Sequence, residues 1–114
     1  MENCVFCEII AGSIPADIVF ENEAVLAFRD IEPKAPKHIL VIPKKHIRSI
    51  NEFELEDKSL AGEILLTAKS IAKSEGIDQS GFRTVFNTND DGGQTVFHIH
   101  MHIFGGRQMT WPPG

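Results

Sequence analysis

The segment HIHMHIF, His98 to Phe104, sets an imidazole at every second position, with Ile99, Met101 and Ile103 alternating. Side chains of an extended chain point to opposite faces in turn, so His98, His100 and His102 share one face and the apolar residues the other. On a helix the same spacing would scatter the rings; the segment predicts a strand over 98–104. Imidazole titrates near neutral pH, ligates metals and attacks electrophiles. A metal could take a pair of these rings but not all three. Positions i and i+4 of a strand lie about 13 Å apart at ~3.3 Å per residue, too far for two bonds of about 2 Å to one ion. Covalent chemistry could use the central ring as nucleophile, with its neighbours orienting it and donating to an anionic group.

An anion cradle lies directly upstream in NTNDDGGQTVFH. Gly92 and Gly93 let backbone approach a phosphate, Gln94 and Thr95 bring amide and hydroxyl donors, and Asn87 closes the preceding strand. Together with the imidazoles, this points to phosphate chemistry without naming a nucleotide.

The elements that must position these groups follow from periodicity. Val5–Ala11 reads as a short helix ending at Gly12. DIVFENEAVLAFRD reads as a hairpin turning at Glu21-Asn22-Glu23. HILVIP is a third strand closed by Pro43. Leu60, Ile64, Ala68 and Ile71 recur at helical spacing within a helix of about 56–75, with Gly76 as its stop. FRTVFN is a fourth strand and the histidine segment a fifth. Strands close in sequence with one long helix between them predict an α+β fold with an antiparallel sheet. The chain reads as one domain, 1–114, with no repeat or linker. The tail GGRQMTWPPG is too rich in Gly and Pro for a core element, and Trp111 needs something to pack on, its own domain or a partner chain.

The 114 residues carry a net charge of −5 and lack a basic block, which disfavours nucleic acid as partner. No window is long and apolar enough to cross a bilayer. MENCVFCEII lacks the basic start of a secretory signal, so the expected setting is cytoplasmic, with both cysteines reduced. Cys4 and Cys7 lack the preceding strand of a thioredoxin-like pair. They read either as free thiols or as half of a zinc site needing two more ligands.

HIHMHIF fits the signature of the histidine triad family, in which three histidines alternate with apolar residues. IPADIVFENE, LAFRDIEPKAPKHILVIPKKH, DGGQTVFHIHMHIFGGRQM and WPPG resemble, in order and spacing, its nucleoside phosphoramidase branch, the histidine triad nucleotide-binding proteins. The resemblance implies a HIT-like fold: a five-stranded antiparallel sheet with one long and one short helix, continued across a homodimer. It implies hydrolysis of the phosphorus–nitrogen bond of purine nucleoside 5′-phosphoramidates, such as adenosine 5′-monophosphoramidate, with compounds of aminoacyl-adenylate type as further substrates and no cofactor required for catalysis. His100 would attack phosphorus to form a nucleotidyl-histidine, His102 would contact the phosphate, and His98 and His38 would orient the triad. Asn87, Gly93, Gln94 and Thr95 would hold phosphate oxygens or the leaving group; Thr95 stands where close relatives often have serine. Asp30 would take the ribose hydroxyls, and Ile9, Ile14, Ile31 and Phe6 the base. Read without the resemblance, Ile9 and Ile14 serve equally as core and Asp30 as a turn residue. Trp111 would reach the opposite subunit's site. Zinc-containing members of the wider family imply structural Zn2+ on Cys4, Cys7, His46 and His98. A nucleotide-binding regulatory or scaffolding dimer with incidental hydrolysis is the alternative from another class. A metal-dependent hydrolase and the dinucleoside polyphosphate branch are two more, the WPPG tail arguing against the last.

Overall fold

The structure, a computed structural model, describes residues 3–114. Helix α1 (Val5–Ala11) leads into strands β1 (Ile18–Glu21), β2 (Val25–Arg29) and β3 (Lys37–Pro43). Helix α2 (Lys58–Ser74), β4 (Phe82–Phe86) and β5 (Met101–Gly105) complete the regular elements. The sheet runs β1-β2-β3-β5-β4 with every neighbouring pair antiparallel. This is the expected α+β architecture with one long and one short helix.

Local chemistry explains most boundaries. Asn22 Oδ1 accepts hydrogen bonds from the Ala24 and Val25 amides at 2.8 and 2.9 Å, closing the first hairpin. Glu21, expected in that turn, still pairs with Leu26, so the turn starts one residue later. Two 3-10 turns, Ile50–Glu52 and Leu55–Asp57, precede α2. At its other end the Gly76 amide donates to Lys73 and the Ile77 amide to Ala72, a Schellman closure.

The two sheet faces are divided between stability and chemistry. Val25, Ala27, Ile39, Val41, Met101 and Ile103 face α2, meeting Ile64, Ala68, Ile71 and Ala72 in one buried cluster. Each large aliphatic side chain so buried contributes about 1.5–3 kcal/mol. Leu26, Phe28, Leu40 and Ile42 cover the opposite face with Cys4 and Phe6 of the α1 segment. His38 and His102 stand on that second face, since the intervening residues 39 and 103 belong to the first.

One expectation needs correction. The fifth strand does not cover 98–104: β5 begins at Met101, and His98, Ile99 and His100 lie outside the ladder. The last β3–β5 pair is Val41 with Met101. Continued by two residues, the register would set Ile99 opposite Pro43, which has no N–H to give. The Ile99 amide instead donates to the Ile47 carbonyl at 2.6 Å. The alternation survives the departure: Ile99, Met101 and Ile103 are all buried.

Gly105 closes β5 where α2's C-terminal connection crosses it. A Cβ there would lie 2.5 Å from Ile77 Cδ1 and 3.1 and 3.2 Å from its Cβ and Cγ2, too many atoms for one rotation to clear. Gly105→Ala is expected to cost about 1–3 kcal/mol of stability by overpacking. Urea unfolding should show this as a lower midpoint at unchanged slope.

Candidate active site and metal centre

The three imidazoles of the histidine row face three different surroundings. His98, just outside the ladder, turns Nδ1 toward Cys4 Sγ (3.4 Å), Cys7 Sγ (3.6 Å) and His46 Nδ1 (3.1 Å). Cys7 Sγ lies 3.4 Å from His46 Nδ1. The pair of cysteines sits at the start of α1, where Cys4 is the N-cap and its sulfur accepts the Cys7 amide at 3.3 Å. Four ligand atoms, all within 4.8 Å of one another, thus converge from three chain segments. A tetrahedral ion with Zn–S of about 2.3 Å and Zn–N of about 2.05 Å sets N···N edges near ~3.3 Å and S···N edges near ~3.6 Å. The four atoms fit that figure. His98 Nε2–H donates to the Pro43 carbonyl at 2.8 Å, which fixes its proton away from the cluster and leaves Nδ1 free to ligate.

His100 is buried and makes a different bond. Its Nδ1–H donates to the backbone carbonyl of His98 at 2.9 Å. Since a carbonyl only accepts, the proton is on Nδ1 and the lone pair on Nε2. Phe6 meets the same ring edge-on, with centroids 5.1 Å apart. Burial pushes the pKa of His100 below the ordinary imidazole value, so the lone pair is available at neutral pH.

His102 is placed by His38. The Lys34 amide donates to His38 Nδ1 at 3.1 Å, so His38 carries its proton on Nε2. That Nε2–H donates to His102 Nδ1 at 2.9 Å, and His102 must then carry its own proton on Nε2. The result is a one-way ladder from the Lys34 backbone through two rings to an outward N–H donor. Burial first, then the neighbouring His100 and His38, push His102 down to about 4. Asp30 Oδ2 stands 3.5 Å from His38 Nε2. Asp30, His38 and His102 also come within 4.8 Å as possible ligands. The same tautomer argues against an ion there, because metal on His38 Nε2 would move its proton to Nδ1, against the Lys34 N–H.

The expected nucleotide residues fall into two sets. Phe6 is buried, Ile9 packs on the second core cluster, and Ile14 and Ile31 are exposed, Ile31 at 93%. An isoleucine so open is not part of the core. Asp30 is held by its own turn, Oδ1 accepting from the Glu32 amide at 2.8 Å. Asn87 is half-buried past the end of β4, and Thr95 is exposed. Gln94 departs from expectation. Its Oε1 accepts from the Asn89 amide, and its Nε2 donates to the carbonyls of Arg48 and Val96. With its amide fully engaged, Gln94 braces the loop instead of offering donors to phosphate. The Gly93 amide is likewise taken, by Asp90. Gly92 is required for the loop's closeness, since a Cβ would stand 2.4 Å from the Thr88 carbonyl oxygen.

Sequence reasoning missed the backbone groups that assign the protons, the carbonyls of Pro43 and His98 and the amide of Lys34. Backbone polar groups carry no residue signature; Pro33 and Pro36, on either side of Lys34, are the sequence sign of a loop there.

Over most of its length the chain is similar to known proteins. The sequence model of the HIT domain matches residues 11–109. A 14 kDa zinc-binding protein of Brassica juncea is 49% identical over 112 residues, covering 96% of this chain and 98% of its own. The crystal structure of a HIT family hydrolase from Legionella pneumophila Philadelphia 1 superposes with a TM-score of 0.97 at 57% identity, covering 98% of this chain and 100% of that one. A histidine triad nucleotide-binding protein from Candida albicans superposes with a TM-score of 0.84 at 29% identity, over 96% of this chain and 83% of that one.

The depressed imidazoles have a consequence for stability. His38 and His102 titrate lower folded than unfolded, so the unfolded chain takes protons first as pH falls. Their contribution is complete above an unfolded pKa of about 6.5 and is lost as pH falls from there, that of His102 on the way to about 4. The thermal midpoint should drop across that window, and His102→Gln should flatten the slope; parallel slopes in the two proteins would refute the assignment.

Proposed function

The chain belongs to the HIT domain family, and on that premise we propose that it is a purine nucleoside phosphoramidase working through a nucleotidyl-histidine. The observation that carries the reading is His100, a buried imidazole locked with its proton on Nδ1 and its lone pair on Nε2. A hydrolase needs such a nucleophile, and the family resemblance supplies the phosphorus–nitrogen bond as target.

In the first displacement His100 Nε2 attacks the α-phosphorus, the Nε2–P bond forms and the P–N bond to the leaving amine breaks. The His98 carbonyl, already accepting from Nδ1–H, stabilises the charge that builds on the ring. His102 presents Nε2–H to a phosphoryl oxygen. At a pKa of about 4 it has no second proton in the free protein. An anionic phosphoryl group against Nε2 favours the cationic ring, which then protonates the departing nitrogen. In the second displacement water attacks phosphorus and gives a proton to the His102 Nε2 left bare by the first step, the P–Nε2 bond breaks and neutral His100 returns. Asp30 takes the ribose hydroxyls by charge-assisted hydrogen bonds. Phe6, Ile9, Ile14 and Ile31 sandwich the base, and Asn87 and Thr95 supply the contacts that the engaged Gln94 cannot.

Zinc on Cys4, Cys7, His46 and His98 is structural in this reading. All four positions are protein ligands, so the ion supplies cross-linking of α1, the β3 exit and the histidine row rather than a place for substrate. The Brassica juncea relative, named as zinc-binding, supports the same assignment. A homodimer is supported by the free outer edge of β4 and by Leu65, Leu66, Phe82 and Trp111, all exposed in the single chain.

The test is release of AMP from adenosine 5′-phosphoramidate by the chain and by His100→Ala. Loss of about a thousandfold or more is expected on removing a covalent nucleophile; equal turnover would exclude His100, and no turnover by either would exclude the reaction. For the metal, protein made without added zinc should carry one ion per chain. Loading well below that, with no loss of stability in chelator, would remove zinc from the reading.

A further inference from the structure

Helix α1 has seven residues, too short to hold itself in water, where isolated helices shorter than ~12 residues are marginal. Its position depends on what its side chains grip. Two of those grips are Cys4 and Cys7, the metal ligands at its start. Between them in sequence lies Phe6, whose ring contacts Phe28 at 5.5 Å, His98 at 5.9 Å and His100 at 5.1 Å, all edge-on. A third ligand, His98, carries the carbonyl that holds His100 Nδ1–H. The two surfaces that fix the nucleophile therefore both hang from the metal centre: the aromatic wall through α1, and the hydrogen-bond acceptor through residue 98.

A cleft of about 360 Å³ is lined by Cys4 and His46 of the metal cluster and by Thr95, Val96 and Phe97. Two of the four metal ligands thus share a cleft with Thr95, the residue assigned to the phosphate end of the site.

We propose that the metal centre and the nucleotide pocket are thermodynamically coupled, with Phe6 the positioning residue that joins them. Loading the four ligands fixes the first turn of α1, seats Phe6 against His100 and closes the pocket wall, so the loaded chain binds a purine nucleoside monophosphate more tightly than the stripped chain. This rests on the nucleotide reading of the pocket. It goes beyond a cross-linking role for the ion, which would change stability and leave nucleotide affinity alone. Coupling between two bound ligands is reciprocal: if metal tightens nucleotide by some factor, nucleotide tightens metal by the same factor.

The experiment measures both sides. AMP affinity is determined by calorimetry on zinc-loaded and chelator-stripped protein, each shown folded by circular dichroism. Zinc affinity is determined by competition with a chromophoric chelator, with and without saturating AMP. The expected result is AMP binding about fivefold or more tighter in the loaded chain, within the usual range of such couplings, and an equal gain in zinc affinity with AMP. Phe6→Leu should keep zinc affinity while bringing both factors close to one. If the stripped chain does not stay folded, Cys7→Ser replaces it, with Cys4, His46 and His98 retained; AMP affinity equal to wild type would then overturn the proposal. So would identical AMP affinity in the loaded and stripped wild type, or a zinc affinity indifferent to AMP. Failure of AMP to bind in either state overturns the nucleotide reading itself and the coupling with it.

Discussion

The hydrogen bond from His100 Nδ1–H to the carbonyl of His98 decides what the imidazole row can do. An unconstrained neutral imidazole exchanges its proton between two nitrogens, and a nucleophile that spends time in the wrong tautomer is idle. A carbonyl acceptor allows one tautomer only. For that carbonyl to be free, residue 98 cannot be using it in a sheet ladder, and it is not: the chain has left the ladder before Met101. Pro43, opposite that exit, lacks the N–H that would continue pairing, and its own carbonyl takes His98 Nε2–H. Much of the remaining architecture holds this departure in place.

The sheet keeps the requirement apart from the demands of folding. The buried cluster toward α2 is aliphatic apart from Met101, with Phe53 and Phe86 packed at its margin, and it bears the burden of stability. The other face is thinner, covered by α1 and a few apolar residues, and every histidine of the chain approaches it or its rim. Burial there is deep enough to keep imidazoles neutral at pH 7 and shallow enough to leave Ile31 and Thr95 exposed. Lys34, on the loop before β3, sets the second tautomer from the far side, so the two rings, His100 and His102, are oriented independently.

Much of this was legible in the chain. The alternation in HIHMHIF announced which residues share a face, and the spacing of residues i and i+4 forbade one ion for all three rings. His98 and His102 do serve different partners. The helix over about 56–75 and the turns at Asn22 and Gly76 were visible because side-chain and glycine chemistry mark them. Two things were hidden. Side-chain periodicity starts the strand at His98, three residues before the ladder begins, because that periodicity does not depend on whether the backbone is paired. Gln94 was read as a ligand donor, because an amide looks the same in sequence whether it faces phosphate or braces its own loop. Both errors arise from backbone hydrogen bonding, which the pattern of side chains does not encode.

The central claim is that His100 Nε2 becomes bonded to phosphorus. Adenosine 5′-phosphoramidate mixed with excess enzyme, quenched in alkali within milliseconds and examined by intact-mass and peptide mapping, tests it most directly. The predicted result is a transient adenylate on the peptide containing His100, formed before AMP appears and decaying as AMP is released. AMP appearing at full rate with no adduct at any quench time would mean that water attacks phosphorus directly, and would contradict the role given to His100.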